Sequence, residues 1–206
     1  MNRQGIIFIV SSPSGGGKTT LLRLVKAKTS GLVDSVSYTT RPMRPGEQDG
    51  VDYRFIDQDA FLERSSRGFF AEWAKVHRGY YGTSRQDLEA IIAGGDDAIM
   101  DIDVQGARQL KAVFPDAVTI FILPPTLEEL ERRLRGRGTE DEVTLRRRLE
   151  AASREMEALR GYDYLVVNHD LARSAEELLA IITAERCRTR RFDPDQVLRD
   201  AGVAPR

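Results

Sequence analysis

The chain has 206 residues, 41% of them hydrophobic and 31% charged, which suits one soluble globular core and excludes disorder and a membrane-spanning protein. Thirty-one basic residues against thirty-two acidic ones give a net charge of −1, so no global field draws the chain to nucleic acid or to an anionic membrane. The single cysteine, Cys187, can form no internal disulfide, so a reducing compartment, the cytoplasm, is the expectation.

The first predicted element is a strand over residues 6–10. A basic residue ahead of an apolar stretch has the outline of a signal peptide, but this stretch is too short and runs into a lysine. Ser12-Pro13-Ser14-Gly15-Gly16-Gly17-Lys18-Thr19-Thr20 follows at once, and the helical spacing of Leu21, Leu22 and Val25 comes next. Strand, glycine loop and helix in that order build a phosphate cradle. Glycines admit the φ values that turn successive N–H groups to one point, and the helix N-terminus adds its dipole. The run from Ser14 to Thr20 is the expected ATP site, with Lys18 on the β/γ-phosphates and the Thr19 hydroxyl on Mg²⁺. Ser12 stands where the Walker A pattern usually has its first glycine. A phosphate loop alone does not name a reaction.

Residues 37–83, rich in Tyr, Arg, Gly and Thr, read as a small lobe of short strands, with Trp73 and Tyr80 as core aromatics. Ser84 with Asp87 reads as a helix start before Leu88, Ile91 and Ile92. A strand is predicted at 98–102, its end carrying Asp101 and Asp103. Their spacing puts both carboxylates on one face of the strand, at the sheet edge where ligands bind. Asp103 is expected to hold Mg²⁺ through water and Asp101 to face a second substrate. Further strands are predicted at 118–123 and 164–167. All four are short, nearly continuous apolar runs, the pattern of parallel strands buried on both faces, so the fold class is α/β with helices flanking the sheet. Thr126 with Glu129 opens a helix over Leu127, Leu130 and Leu134, and Ser174 with Glu177 opens one over Leu178, Ile181 and Ile182. Residues 135–148 read as a charged, glycine-punctuated mobile flap, and the chain from about Arg188 as a loosely held tail. His77 and His169 read as surface or loop residues.

The run from Ser37 to Glu47, SYTTRPMRPGE, resembles the signature of the guanylate kinase family, and the likeness continues through Asp49-Gly50-Val51-Asp52-Tyr53 and Phe70-Ala71-Glu72-Trp73-Ala74. Gly79-Tyr80-Tyr81-Gly82-Thr83-Ser84, Asp101-Ile102-Asp103-Val104-Gln105-Gly106, Arg135-Gly136-Arg137-Gly138 and Val166-Val167-Asn168 extend it in the family's order, over residues 5 to about 186. The resemblance implies a P-loop NTPase-type core at 1–36, 97–125 and 160–206, a GMP-binding lobe at 37–96 and a lid region at 126–159. It implies transfer of the γ-phosphoryl group of ATP to GMP, and to dGMP, with Mg²⁺, in purine nucleotide metabolism.

By matching position, Ser37, Arg41, Arg44, Tyr53 and Tyr81 grip the GMP phosphate, and Glu72, Thr83 and Asp101 face guanine. Arg137 and Arg148 correspond to lid arginines over the ATP phosphates, with Arg146 and Arg147 leaving the second assignment open by a position or two. Asn168 approaches the adenine; His169 stands where the family often has an acidic residue. Lys18, Arg41, Arg137 and Arg148 form the expected catalytic group, and Thr19 and Asp103 the metal pair. The chemistry is consistent. Guanine's N1–H and N2–H₂ suit an ionised carboxylate, adenine lacks that donor pair, and planar guanidinium forks suit phosphate. No general base is required, because the attacking phosphate oxygen is already anionic. Two rivals are a non-catalytic domain of this fold that binds phosphorylated peptides, and a phosphate-loop kinase with another acceptor, such as a phosphorylated sugar. Lys18, Thr19, Asp103 and the flap arginines oppose the first; Glu72, Thr83 and Asp101 oppose the second. The partners expected are ATP and GMP; monomer and homodimer both stay open.

Overall fold

Alternation along one central strand organises the molecule. In β1 (Ile7–Ser11), Phe8 and Val10 face one helical layer while Ile7 and Ile9 face another, and all five residues are buried. The computed structural model describes residues 3–76, 79–136 and 141–203. In chain order the elements are β1, α1 (Lys18–Lys28), β2 (Leu32–Asp34), β3 (Tyr38–Thr39), β4 (Arg54–Phe55), α2 (Gln58–Ser66), β5 (Phe70–Val76), β6 (Gly79–Ser84) and α3 (Arg85–Ala93). Then come β7 (Asp97–Asp101), α4 (Val104–Val113), β8 (Val118–Leu123), α5 (Leu127–Arg135), α6 (Glu142–Glu157), β9 (Tyr164–Val167), α7 (Leu171–Arg186) and α8 (Pro194–Asp200).

The main sheet has five parallel strands in the order β2-β7-β1-β8-β9. On one face Phe8 and Val10 meet Leu21, Leu22 and Val25 of α1 and Leu178 and Ile182 of α7. On the other, Ile7, Ile9 and Met100 meet Leu88 of α3 and Ala107 and Leu110 of α4. The four predicted strands are present within one residue of their expected bounds. The order brings the ends of β1 and β7 side by side, with Val10 opposite Asp101, so the loops after both strands open on one edge. Among the described residues no helix is long and apolar enough to cross a membrane.

The small lobe is a four-stranded sheet, β4-β3-β6-β5, closed over an aromatic cluster of Tyr38, Phe61 and Phe70. Phe61 stacks on Phe70 with ring centroids 4.4 Å apart. Tyr80 packs against this cluster as expected, but Trp73 does not belong inside it: it is 38% exposed on the outer strand β5 and touches Phe61 and Tyr80 only by its edge and side. Although α3 falls in the 37–96 segment, its Leu88 lies in the core beneath β1 and β7.

Three other expectations are corrected. Ser174 does not start a helix; α7 begins earlier, at Asp170, whose carboxylate accepts from Arg173 N, and Ser174 is buried one turn inside. The charged stretch 135–148 is not all flap, because 142–148 are the first turns of α6, with Leu145 buried against Leu130 and Leu134 of α5. The start of the tail is not loose. Gln4 N donates to Arg191 O, Arg3 pairs with Phe192 in an antiparallel bridge, and the Arg191 side chain is 6% exposed beside Glu185.

Candidate active site

Seven of the eight described helices start with an Asp, Ser or Thr whose side chain accepts from the first turn. The exception is α1. It starts on Gly17, at φ +90°, with no side-chain cap, so its first N–H groups are left to a ligand. Gly15 also has φ +92°, and a Cβ there would stand 2.9 Å from Leu134 Cδ2, so α5 presses on the loop. The loop is held from behind. Gly16 O accepts from Asn168 Nδ2 at 2.9 Å and from Arg133 Nη1 at 3.4 Å, and Arg133 Nη2 donates to Asn168 O at 2.9 Å. Ser14, Thr19 and Thr20 are exposed on the open side.

Lys18 leans across the sheet edge. Its Nζ lies 2.5 Å from Asp101 Oδ1 and donates to Ile102 O at 3.1 Å, while Thr19 Oγ1 donates to Asp101 Oδ2 at 3.4 Å. This revises the expectation for the two aspartates. β7 ends at Asp101, and Asp103 is the cap of α4, its Oδ1 accepting from Gln105 N and Gly106 N at 2.9 and 2.8 Å. The carboxylate beside Thr19 is therefore Asp101, with Asp103 two residues on at the start of α4.

Asp101 and Asp103 also line a cavity of about 350 Å³ shared with Ser37, Tyr53, Glu72 and Tyr81. That volume is in the usual range for small-molecule sites. Glu72 is 7% exposed; Thr83, fully buried, donates to its Oε1 at 2.6 Å. Burial pushes the Glu72 carboxyl above its ordinary value, the Thr83 hydrogen bond opposes this, and the charge of Asp103 adds to it. At the rim, Tyr53 and Tyr81 meet edge to face at 5.9 Å and the Arg41 guanidinium lies 5.5 Å from the Tyr53 ring centre. Arg41 Nη2 is paired with Glu47 at 2.7 Å, which raises its basicity further. Arg44 is exposed; its backbone N–H donates to Glu47, and its side chain is not among those lining the cavity.

The family model described as guanylate kinase matches residues 4–185. The chain belongs to the guanylate kinase family. It is 51% identical over 192 residues to the guanylate kinase of Syntrophotalea carbinolica, covering 93% of this chain and 91% of that one. To the guanylate kinase of Geobacter metallireducens it is 50% identical over 189 residues, 92% and 93% of the two chains. The crystal structure of guanylate kinase from Anaplasma phagocytophilum superposes with a TM-score of 0.75 at 34% identity, over 100% of this chain and 99% of that one.

For a member of the guanylate kinase family, the remaining expected residues divide. Asn168 is buried and reaches the phosphate loop rather than open space, and His169 is exposed. Arg146 and Arg147 are exposed on α6, and Arg148 is half-buried. Arg137 and His77 lie outside the described residues. Two residues escaped the sequence reading. Arg133 braces Gly16, and Glu155 of α6 reaches Ser14, whose backbone N–H hydrogen bond opposes the upward push of burial on its carboxyl. Both sit in amphipathic helices more than a hundred residues from the loop, where the spacing marks them only as solvent-side charges.

A metal ion fits this edge. Among the described residues no three His, Cys, Asp or Glu side chains converge as a protein cage. Mg²⁺ in phosphoryl transfer commonly takes one or two carboxylates plus substrate phosphates, and the Thr19 hydroxyl with Asp101 or Asp103 supplies such donors.

Proposed function

We propose that the chain transfers the γ-phosphoryl group of ATP to GMP, giving ADP and GDP, with the phosphate loop holding the donor and the Glu72-lined cavity holding the acceptor. The observation that carries this reading is that both sites meet at Asp101, which touches Lys18 and Thr19 and also lines the cavity. Donor and acceptor are thus side by side on one sheet edge, as direct transfer needs.

In this reading Gly15 to Lys18 receive the β- and γ-phosphates through backbone N–H groups, and Lys18 leaves Asp101 to follow the charge. Thr19 with Asp103, or with Asp101 beside it, would hold Mg²⁺ bound with ATP, and the ion would supply charge neutralisation for the phosphates. Ser37, Arg41, Tyr53 and Tyr81 hold the GMP phosphate, and Arg44 joins them by turning inward. Glu72, oriented by Thr83, accepts from guanine N1–H and N2–H₂; Asp101 supports the same edge. Arg137 and Arg148 close over the donor from the lid region, 126–159, excluding water. The core at 1–36, 97–125 and 160–206 and the lobe at 37–96 carry the two substrates. The attacking phosphate oxygen is anionic near neutral pH, so its second pKa of about 6 removes the need for a general base.

A coupled assay of ADP formation with ATP and Mg²⁺, offering GMP, AMP, IMP or no acceptor, tests this directly. Rapid turnover with GMP alone, lost in Lys18→Ala and made less selective in Glu72→Gln, is the expected result. Binding of GMP without ADP formation sinks the catalytic reading, and preference for another acceptor sinks the guanine site.

A further inference from the structure

Helix α4 carries a glycine that its backbone does not require. Gly106 lies in the first turn of α4, is buried, and has no left-handed φ. Helix propensity alone disfavours glycine there relative to alanine. Its neighbours supply the reason. A Cβ at Gly106 would stand 3.1 Å from Glu72 Oε2, tighter than ordinary van der Waals contact, while its other near neighbours, on Ile102, are at a normal 3.5 Å. The one tight contact is the carboxylate that faces the acceptor cavity.

One turn along the same helix face, Gln109 holds the residue after Glu72. Trp73 N donates to Gln109 Oε1 at 3.1 Å, and Gln109 Nε2 donates to Trp73 O at 3.1 Å. β5 is the outer strand of the lobe sheet, so this side-chain amide takes the place that a further strand's peptide group would occupy. Thr83 fixes the other carboxylate oxygen, Oε1, from β6. The Glu72 carboxylate is thereby bounded on one side by a hydroxyl and on the other by a bare helix backbone, with its strand pinned next door.

We propose that Gly106 and Gln109 are positioning residues for acceptor selection: α4 sets where the Glu72 carboxylate stands, Gly106 by leaving it room and Gln109 by fixing the strand beside it. This rests on the reading of Glu72 as the guanine-facing acceptor. A methyl group at 106 moves the carboxylate by a few tenths of an ångström, so hydrogen bonds to two adjacent guanine donors cannot both keep their best length and angle.

The experiment uses the full chain with Gly106→Ala, Gln109→Leu, Glu72→Gln and the double variant Gly106→Ala with Glu72→Gln. The readouts are kcat and KM for GMP, the GMP to IMP ratio of kcat/KM, KM for ATP, and thermal midpoint. IMP keeps N1–H and lacks the 2-amino group. Gly106→Ala is expected to raise KM for GMP about tenfold and to narrow the GMP to IMP ratio. KM for ATP and the midpoint stay at the parent's values, because alanine suits the helix. Added to Glu72→Gln it has no further effect. Gln109→Leu moves the same two quantities in the same direction. Parent-like KM and ratio in Gly106→Ala, while Glu72→Gln loses selectivity, overturn the proposal and leave the Glu72 reading standing. An unchanged ratio in Glu72→Gln overturns that reading and the proposal with it. A rise in KM for ATP equal to that for GMP, or a midpoint falling in step with the kinetics, overturns it as a general structural effect. If Gly106→Ala does not fold, Gln109→Leu decides by the same criteria.

Discussion

Lys18 Nζ sits 2.5 Å from Asp101 Oδ1, so the lysine proposed to serve the donor phosphates is held by a carboxylate that also lines the Glu72 cavity. A phosphate must compete with that carboxylate. The pair is partly open to solvent, with Asp101's side chain 41% exposed, so its strength is that of a surface ion pair, about 0.2–1 kcal/mol. Asp101→Asn is therefore expected to tighten binding of ATP without Mg²⁺, in the absence of GMP, by about 1.4- to 5-fold, while weakening GMP binding. Separate titrations of each nucleotide measure this. Parallel loss of both affinities would show that Asp101 does not compete for Lys18.

Glu72 gives a pH dependence with a definite sign. Its folded value is raised, burial being the largest cause, so the folded chain keeps this proton to higher pH than the unfolded chain does. The cost of burying the charge is absent below the unfolded value and complete above the folded one, so it lowers stability as pH rises through that window. The guanine contacts proposed for Glu72 need the ionised form. KM for GMP should rise as pH falls, starting above the ordinary carboxylate range, and that limb should vanish in Glu72→Gln. The same variant should gain stability relative to the parent as pH rises through that window, where the parent comes to carry the buried charge. Thermal midpoints across pH and KM against pH test both halves.

What could be read from the chain beforehand was local. Ser84 and Thr126 cap their helices as expected because a cap and its target N–H lie three residues apart. The same pattern misled at Ser174, since S-x-x-E also recurs inside an amphipathic helix, and the true cap, Asp170, lies four residues earlier. Asp103 looked like a strand residue because the two-residue spacing is the strand's own, whereas β7 ends at Asp101 and Asp103 turns to cap α4. Trp73 looked like core because aromatics usually are, but an outer strand presents alternate residues to solvent. Arg133, Gly106 and Gln109 act across long stretches of chain, where no spacing rule reaches.

Arg133 is expected to matter to the donor site alone. It ties α5 to Gly16 O and Asn168 O, and Glu129 fixes its Nε at 2.8 Å. Arg133→Ala removes two hydrogen bonds from a charged donor, each worth about 1.5–3 kcal/mol at most and less at this partly open position. The loop should relax, KM for ATP should rise several-fold or more, and KM for GMP should hold. Equal effects on both substrates would mean that the arginine supports the fold rather than the loop.

Asp97 is the residue on which the segment before β1 and the end of α7 converge. It opens β7 with no exposure, and its carboxylate accepts from Arg3 at 2.6 and 2.8 Å, from Arg186 Nε at 2.7 Å and from Ile6 N at 2.9 Å. Arg186 goes on to Thr29 Oγ1 and the carbonyls of Ser30 and Gly31. The segment before β1, the loop before β2 and the end of α7 are thus fastened to one buried charge, at the sheet edge opposite the phosphate loop. Asp97→Ala strands two half-buried guanidinium groups and an amide N–H, and breaking a buried pair on one side costs about 3–5 kcal/mol. Denaturant unfolding should show that loss, whereas in whatever fraction stays folded the KM values for ATP and GMP should stay near the parent's, since no Asp97 contact reaches either site. Arg3→Ala, which leaves Asp97 paired with Arg186, should cost distinctly less. If Asp97→Ala unfolds no more readily than Arg3→Ala, the carboxylate is not the hub of this clasp and the arginines hold these segments through their other contacts.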